Sequence, residues 1–241
     1  MPALDQAQVA TLERAFLRLL RVVIVVGLPP VIVLSGLYIL MSPAYLRYEY
    51  GKGSFPPATR LSEEQRYTAA VECIRYLRTG MGIEALQRLE GSEGPLFNER
   101  ELRHMVDVKG VVRGVFVFHR VCTVLVLGAV LYLARYGLGG ECARRLAQGA
   151  GLTIVSVALL LSAAVVNFNW FFTAFHRLFF EGDTWLFPYT DTLIQLFPLP
   201  FWFDIVQLWV LGAIIVSCLI GGLALWRLRR SLAPRLIEKH S

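Results

Sequence analysis

Cysteine is scarce and unpatterned in this chain. Cys73, Cys122, Cys142 and Cys218 form no CxxC pair and no metal-ligand spacing. At least Cys122 and Cys218 fall inside apolar runs, where a thiol behaves as a small hydrophobe, so no disulfide framework is expected. Charge is thin as well: 17% of the 241 residues are charged and 56% are apolar, which excludes an ordinary soluble domain. HExxH, GxSxG, P-loop and Gly-rich dinucleotide signatures are missing, which disfavours a zinc hydrolase or a serine lipase. Internal repeats and low-complexity tracts are missing too.

What the chain does have is length without polarity, with a mean hydropathy of +0.54. Four runs, at 22–41, 111–133, 152–172 and 205–226, reach the roughly 20 residues needed to cross a hydrocarbon core. Pro29 and Pro30 stand in the first run and predict a kink there. The expected class is an all-α membrane protein with four transmembrane helices in one integral membrane domain.

The net charge of +6 and pI near 9.3 could suggest nucleic acid. The basic residues instead gather at the ends of the apolar runs: Arg14, Arg18 and Arg21; Arg135, Arg144 and Arg145; Arg227, Arg229, Arg230, Arg235 and Lys239. Membrane orientation accounts for them, with both termini cytoplasmic and no nucleic-acid partner. The first run, with three arginines before it, has the look of a signal peptide. It is long for one and lacks an A-x-A site, so it is expected to be retained.

Segments 42–110 and 173–204 then face outward, the first being long enough to translocate regardless of its charge. Residues 51–58 have loop composition. Ser62 with Gln65 predicts a capping box, followed by a helix whose apolar stripe is Tyr67, Val71, Ile74 and Leu77 and which stops at Gly80. A second start at Asn98, with Glu101 three residues on, predicts one helix running into the second span, about 55 Å long, its first turns standing above the membrane. The long outer segment is thus mostly helical and the short one is rich in aromatics.

Of four histidines, His240 falls in the tail and His119 lies inside the second run beside Arg120, where an internal hydrogen bond suffices to explain it. His104 and His176 come from distant segments and both fall at the outer boundary. Imidazole takes and returns protons near neutral pH, so their convergence would make an acid/base site, and their separation would leave two headgroup-level hydrogen-bonding groups. Lys109, Arg113 and Arg120 share an arc of about 40° on one helix, a positive stripe descending into the membrane. Asn167 and Asn169 could line the same cavity or join an internal polar network. Asp183, Trp185 and Asp191 follow His176 in an aromatic stretch typical of an interfacial belt, and either acid could orient an imidazole or pair with the stripe. Glu101 and His104 place two ligand types on one helical face, but a di-iron site needs a second such pair, and no metal is expected.

Residues 101–109, E-x-x-H-M-x-D-V-K with Glu101, His104, Asp107 and Lys109, and residues 175–198, F-H-x-x-F-F-x-x-D-x-W-L-F-x-x-x-D-T-L-I-x-L-F-P, together resemble the bacterial lipoprotein intramolecular transacylase (Lit) family. The likeness extends over nearly the whole chain: four spans, a large insert after the first and a shorter one after the third. The chain departs from the pattern near Phe187 and at Leu199, where family members often carry acids.

The resemblance implies an enzyme of the bacterial cytoplasmic membrane, monomeric, acting at the outer leaflet among membrane lipids on diacylglyceryl-modified lipoproteins. It moves the sn-2 acyl chain to the amine of the N-terminal cysteine without cofactor or covalent intermediate. His104 and His176 map onto the family's two important histidines. A base is needed for the amine and an acid for the departing alkoxide, with Lys109, Arg113 or Arg120 expected to steady the oxyanion. Two other readings fit the residues: a different lipid-active hydrolase or acyltransferase, and a non-catalytic membrane accessory protein.

Overall fold

The computed structural model describes residues 5–237 apart from Ser54, Thr59, Glu93, Glu181 and Asp183, with side chains described as far as residue 230. Helices α1 (Gln6–Leu40), α5 (Glu99–Arg135), α6 (Gly139–Val166) and α9 (Leu199–Ile237) carry the four apolar runs. All four are long and apolar enough to cross a bilayer, so this is a multi-pass helical membrane protein. Helix α1 continues through Pro29 and Pro30. Between α1 and α5 come α2 (Pro43–Tyr50), α3 (Glu63–Arg78), α4 (Glu84–Gln87) and a small hairpin of β1 (Glu90–Gly91) and β2 (Gly94–Pro95). Between α6 and α9 come α7 (Phe168–Phe179) and α8 (Thr192–Leu196).

The third run departs from expectation. Apolar composition over 152–172 predicts one uninterrupted span, yet α6 stops at Val166 and α7 restarts after Asn167. The Asn167 side chain accepts the Trp170 amide at 3.0 Å, an N-cap that founds a new helix. Hydropathy is blind to this break because apolar residues stand on both sides of it.

The chain forms two compact units. The first (Met1–Val33, Phe118–Ala158, Gly212–Ser241) centres on Ile24, Ala129, Leu133 and Cys142. Helices α1 and α6 approach closely there, since a Cβ on Gly149 would stand 3.0 Å from Leu28 and 3.2 Å from the Ile24 carbonyl. In the first turn of α6 Glu141 meets Arg145 at 2.6 Å and Arg21, midway along α1, at 3.2 Å.

The second unit (Leu34–Val117, Leu159–Leu211) holds the larger core. Helix α3 starts on the expected capping box, with Ser62 Oγ accepting the Gln65 amide at 3.2 Å and Gln65 accepting the Ser62 amide at 3.1 Å. It packs on α2, α4 and α8. The fully buried Leu46, Leu86 and Leu196 each contribute about 2 kcal/mol. The Tyr50 hydroxyl donates to the Leu196 carbonyl at 2.6 Å, and the Arg66 guanidinium lies over the Tyr50 and Phe55 rings. Glu49 is fully buried; the Lys52 ammonium donates to its carboxylate and to that of Asp204, each at 2.8 Å. Burial raises the Glu49 carboxyl above the ordinary range, against the pull of Lys52.

Candidate active site

Helix α5 opens on a reciprocal cap. Asn98 Oδ1 accepts the amides of Arg100 and Glu101 at 3.0 Å each, and a Glu101 carboxylate oxygen accepts the Asn98 amide at 2.8 Å. The other Glu101 oxygen accepts the Leu193 amide at 2.7 Å, in the first turn of α8. Glu101 is only 1% exposed, and two backbone donors make that burial tolerable. His104 follows one turn along, half-buried, its ring 5.1 Å from that of Phe180 and 5.2 Å from that of Phe187. Its Nδ1 is buried and has no hydrogen-bond partner among the described residues. Arg100, four residues before His104 and so on nearly the same face, pairs with Asp191 at 2.8 Å and lies over the Phe187 ring at 5.4 Å.

His176 stands on α7 with its Nδ1 2.7 Å from the Phe172 carbonyl oxygen. A carbonyl can only accept, so Nδ1 carries the proton and Nε2 keeps its lone pair. The ring is set among Phe172 at 4.0 Å, Trp185 at 4.7 Å, Phe175 at 5.5 Å and Phe180 at 5.7 Å. Trp185 is itself buried, its indole N–H donating to the Gly182 carbonyl at 3.1 Å. Gly182 adopts φ +63°, which suits a residue without a Cβ in that turn. Burial lowers the His176 pKa below the ordinary imidazole value, opposed by the Phe172 hydrogen bond. Phe180 therefore touches both imidazoles, and the two histidines share one aromatic wall.

The sequence pattern of the lipoprotein intramolecular transacylase Lit family matches residues 22–202, most of the chain. The chain belongs to this family. An uncharacterized protein of Aquifex aeolicus (strain VF5) is 26% identical over 214 residues, covering 87% of this chain and 93% of that one. The fold is that of the membrane-integral Lit from Bacillus cereus, solved in meso: TM-score 0.74 at 20% identity, over 94% of this chain and 99% of that one. A variant of that protein with one histidine replaced by arginine superposes with TM-score 0.69 at 17% identity, over 95% and 100% of the two chains.

In this member of the family the positive stripe does not join the histidines. Helix α5 is continuous from Glu99, so at 100° per residue Lys109 lies about 140° and Arg113 about 180° around it from His104. The Lys109 ammonium donates to the Met81 carbonyl and sits 4.0 Å over the Tyr76 ring. Arg113 and Asp107 are exposed. Arg120, exposed, and His119, buried with Nε2 3.5 Å from Thr123 Oγ1, belong to the other compact unit. Of the residues expected to steady the oxyanion, Lys109 and Arg113 thus lie on the side of α5 away from His104. Asp191 pairs with Arg100 rather than with the stripe. Asp183 and His240 lie outside the described residues. Sequence reasoning passed over Arg100 and Phe172, although each precedes a histidine by four residues, the spacing that stacks helical side chains, and it gave Phe180, within the 175–198 motif, no role.

Proposed function

We propose that this member of the Lit family transfers the sn-2 acyl chain of a diacylglyceryl lipoprotein to the α-amine of its N-terminal cysteine. The observation that carries this reading is the bonding of His176, whose Nδ1–H is spent on the Phe172 carbonyl so that Nε2 is the nitrogen free to exchange a proton, beside a second imidazole on the same aromatic wall. His176 Nε2 takes a proton from the cysteine amine as the nitrogen attacks the sn-2 ester carbonyl. The tetrahedral centre collapses with cleavage of the bond to the glyceryl oxygen, which receives that same proton back from His176, directly or relayed through His104. An amide forms, an ester is lost and a hydroxyl appears, with every atom kept in one molecule.

Donor and acceptor are already linked through the thioether, so positioning within a medium ring can supply much of the rate. The aromatic wall of Phe172, Phe180, Trp185 and Phe187 supports transfer over hydrolysis by keeping water from the carbonyl. Arginines at the ends of the spans favour cytoplasmic termini in the bacterial cell membrane. The second unit then stands at the outer leaflet, where lipid esters and lipoprotein N-termini lie. The exposed Arg113, turned from His104, suits lipid phosphate and ester oxygens. A monomer suffices, because both histidines come from one chain.

The deciding experiment is mass spectrometry of a model diacylglyceryl lipoprotein after expression with this protein or its His176→Ala variant. An acyl group moved to the N-terminus at unchanged total mass, absent with the variant, supports the proposal. Release of free fatty acid would assign a hydrolase instead, and an unaltered lipoprotein would remove the acyl-transfer function.

A further inference from the structure

We propose that Glu101 is a positioning residue that sets where the two imidazoles stand; this rests on the reading that they carry the acyl transfer. The first turns of α5 and α8 exchange their caps. Asp191, at the N-cap position of α8, makes no side-chain bond to its own helix and gives its carboxylate to Arg100 of α5. Glu101 of α5 supplies what α8 then lacks, accepting the Leu193 amide while its second oxygen holds Asn98. The Thr192 hydroxyl adds a third tie, to the Leu96 carbonyl.

These ties bind residues 96–101 to residues 191–193, and each partner is a direct extension of the site. His104 is one turn from Glu101 on α5, while Phe180, Trp185 and Phe187 precede Asp191 on the same connecting segment and touch one or both imidazoles. A shift of that segment along α5 would change the spacing of His104, Phe180 and His176 without touching any reacting atom. Glu101 is the inner tie, buried and doubly bonded, and the Arg100–Asp191 pair is the outer one, with Arg100 42% exposed. Glutamine at position 101 keeps one acceptor and sets an N–H₂ against a backbone N–H, so it loosens the tie without removing side-chain volume.

The test uses the full chain in lipid nanodiscs with a diacylglyceryl lipopeptide, comparing wild type, Glu101→Gln and Asp191→Asn. Two quantities are read: the split between kcat and KM, and the rate at which diethyl pyrocarbonate modifies each histidine, mapped by peptide mass spectrometry. Glu101→Gln is expected to lower kcat about 10- to 100-fold with KM nearly unchanged, as misplacement of about 1 Å does. His104 should be modified faster while His119, buried in the other unit, keeps its wild-type rate. Asp191→Asn should show the same pattern more weakly, which provides the test if Glu101→Gln does not fold. Wild-type kcat and wild-type His104 reactivity in a folded variant, or equal gains at His104 and His119, overturn the proposal. Should wild type itself move no acyl chain, the acyl-transfer reading fails, and the His104 rate still decides whether Glu101 holds that residue in place.

Discussion

The imidazole of His176 donates its Nδ1–H to the carbonyl oxygen of Phe172, one helical turn back, at 2.7 Å. Spacing by four residues stacks the ring over the preceding turn, where this carbonyl is within reach of its nitrogen. The consequence is chemical, because the bond selects the tautomer whose Nε2 is a base. Asparagine at 176 would keep a donor for the carbonyl and lose the base.

His176→Asn and His176→Ala are therefore both expected to reduce acyl transfer by about 10²–10⁴-fold. Quantitative mass spectrometry of relocated acyl chains measures this. Activity within a few-fold of wild type in His176→Asn would show that donation to Phe172, and not basicity, is what the residue supplies.

Burial depresses the His176 pKa, so between the ordinary value of about 6.5 and its lower folded value the unfolded chain binds a proton that the folded chain does not. Stability is then fully present above about pH 6.5 and falls as pH drops through that window. Thermal unfolding of wild type and His176→Phe compared from pH 7 to about pH 5 should show the wild-type midpoint falling relative to that of the variant as pH drops. With His176 in its proposed role as base, its limb of the pH–rate profile is expected below the ordinary imidazole pKa.

Lys52 joins the buried Glu49 to Asp204. Lys52→Ala strands the Glu49 carboxyl and is expected to cost about 1–3 kcal/mol, reduced by the partial exposure of Lys52 and Asp204. Glu49→Gln should cost less, because burial already disfavours the charge there and the amide oxygen still accepts from Lys52. Release of the buried thiol of Cys73 to a thiol-reactive dye on heating reports both variants, and the ranking fails if Glu49→Gln melts first.

Gly36 lies where α1 meets Trp209, and a Cβ there would stand 2.7 Å from the indole Cδ1. Gly36→Ala should overpack this crossing and cost about 1–3 kcal/mol. A melting temperature equal to wild type would mean that Trp209 turns aside freely.

Much of the architecture was legible because it is local. Apolar length marks a span whatever lies beside it, and the caps at Ser62 with Gln65 and Asn98 with Glu101 close within three residues of sequence. The two histidines stood out by chemistry and by membrane depth. The opposition of Lys109 and His104 was also available from residue numbering, once α5 was expected to be continuous.

The sequence by itself determined four membrane-spanning helices, the long α5, and which residues could exchange protons, since hydrophobic length, short-range capping and side-chain pKa need no tertiary partner. Only the tertiary structure decided that Glu101 would bond Leu193 and that Phe180 would lie against both His104 and His176. Contacts across some 70 to 90 residues depend on how buried donors and acceptors are all satisfied at once, and no window of sequence contains that solution.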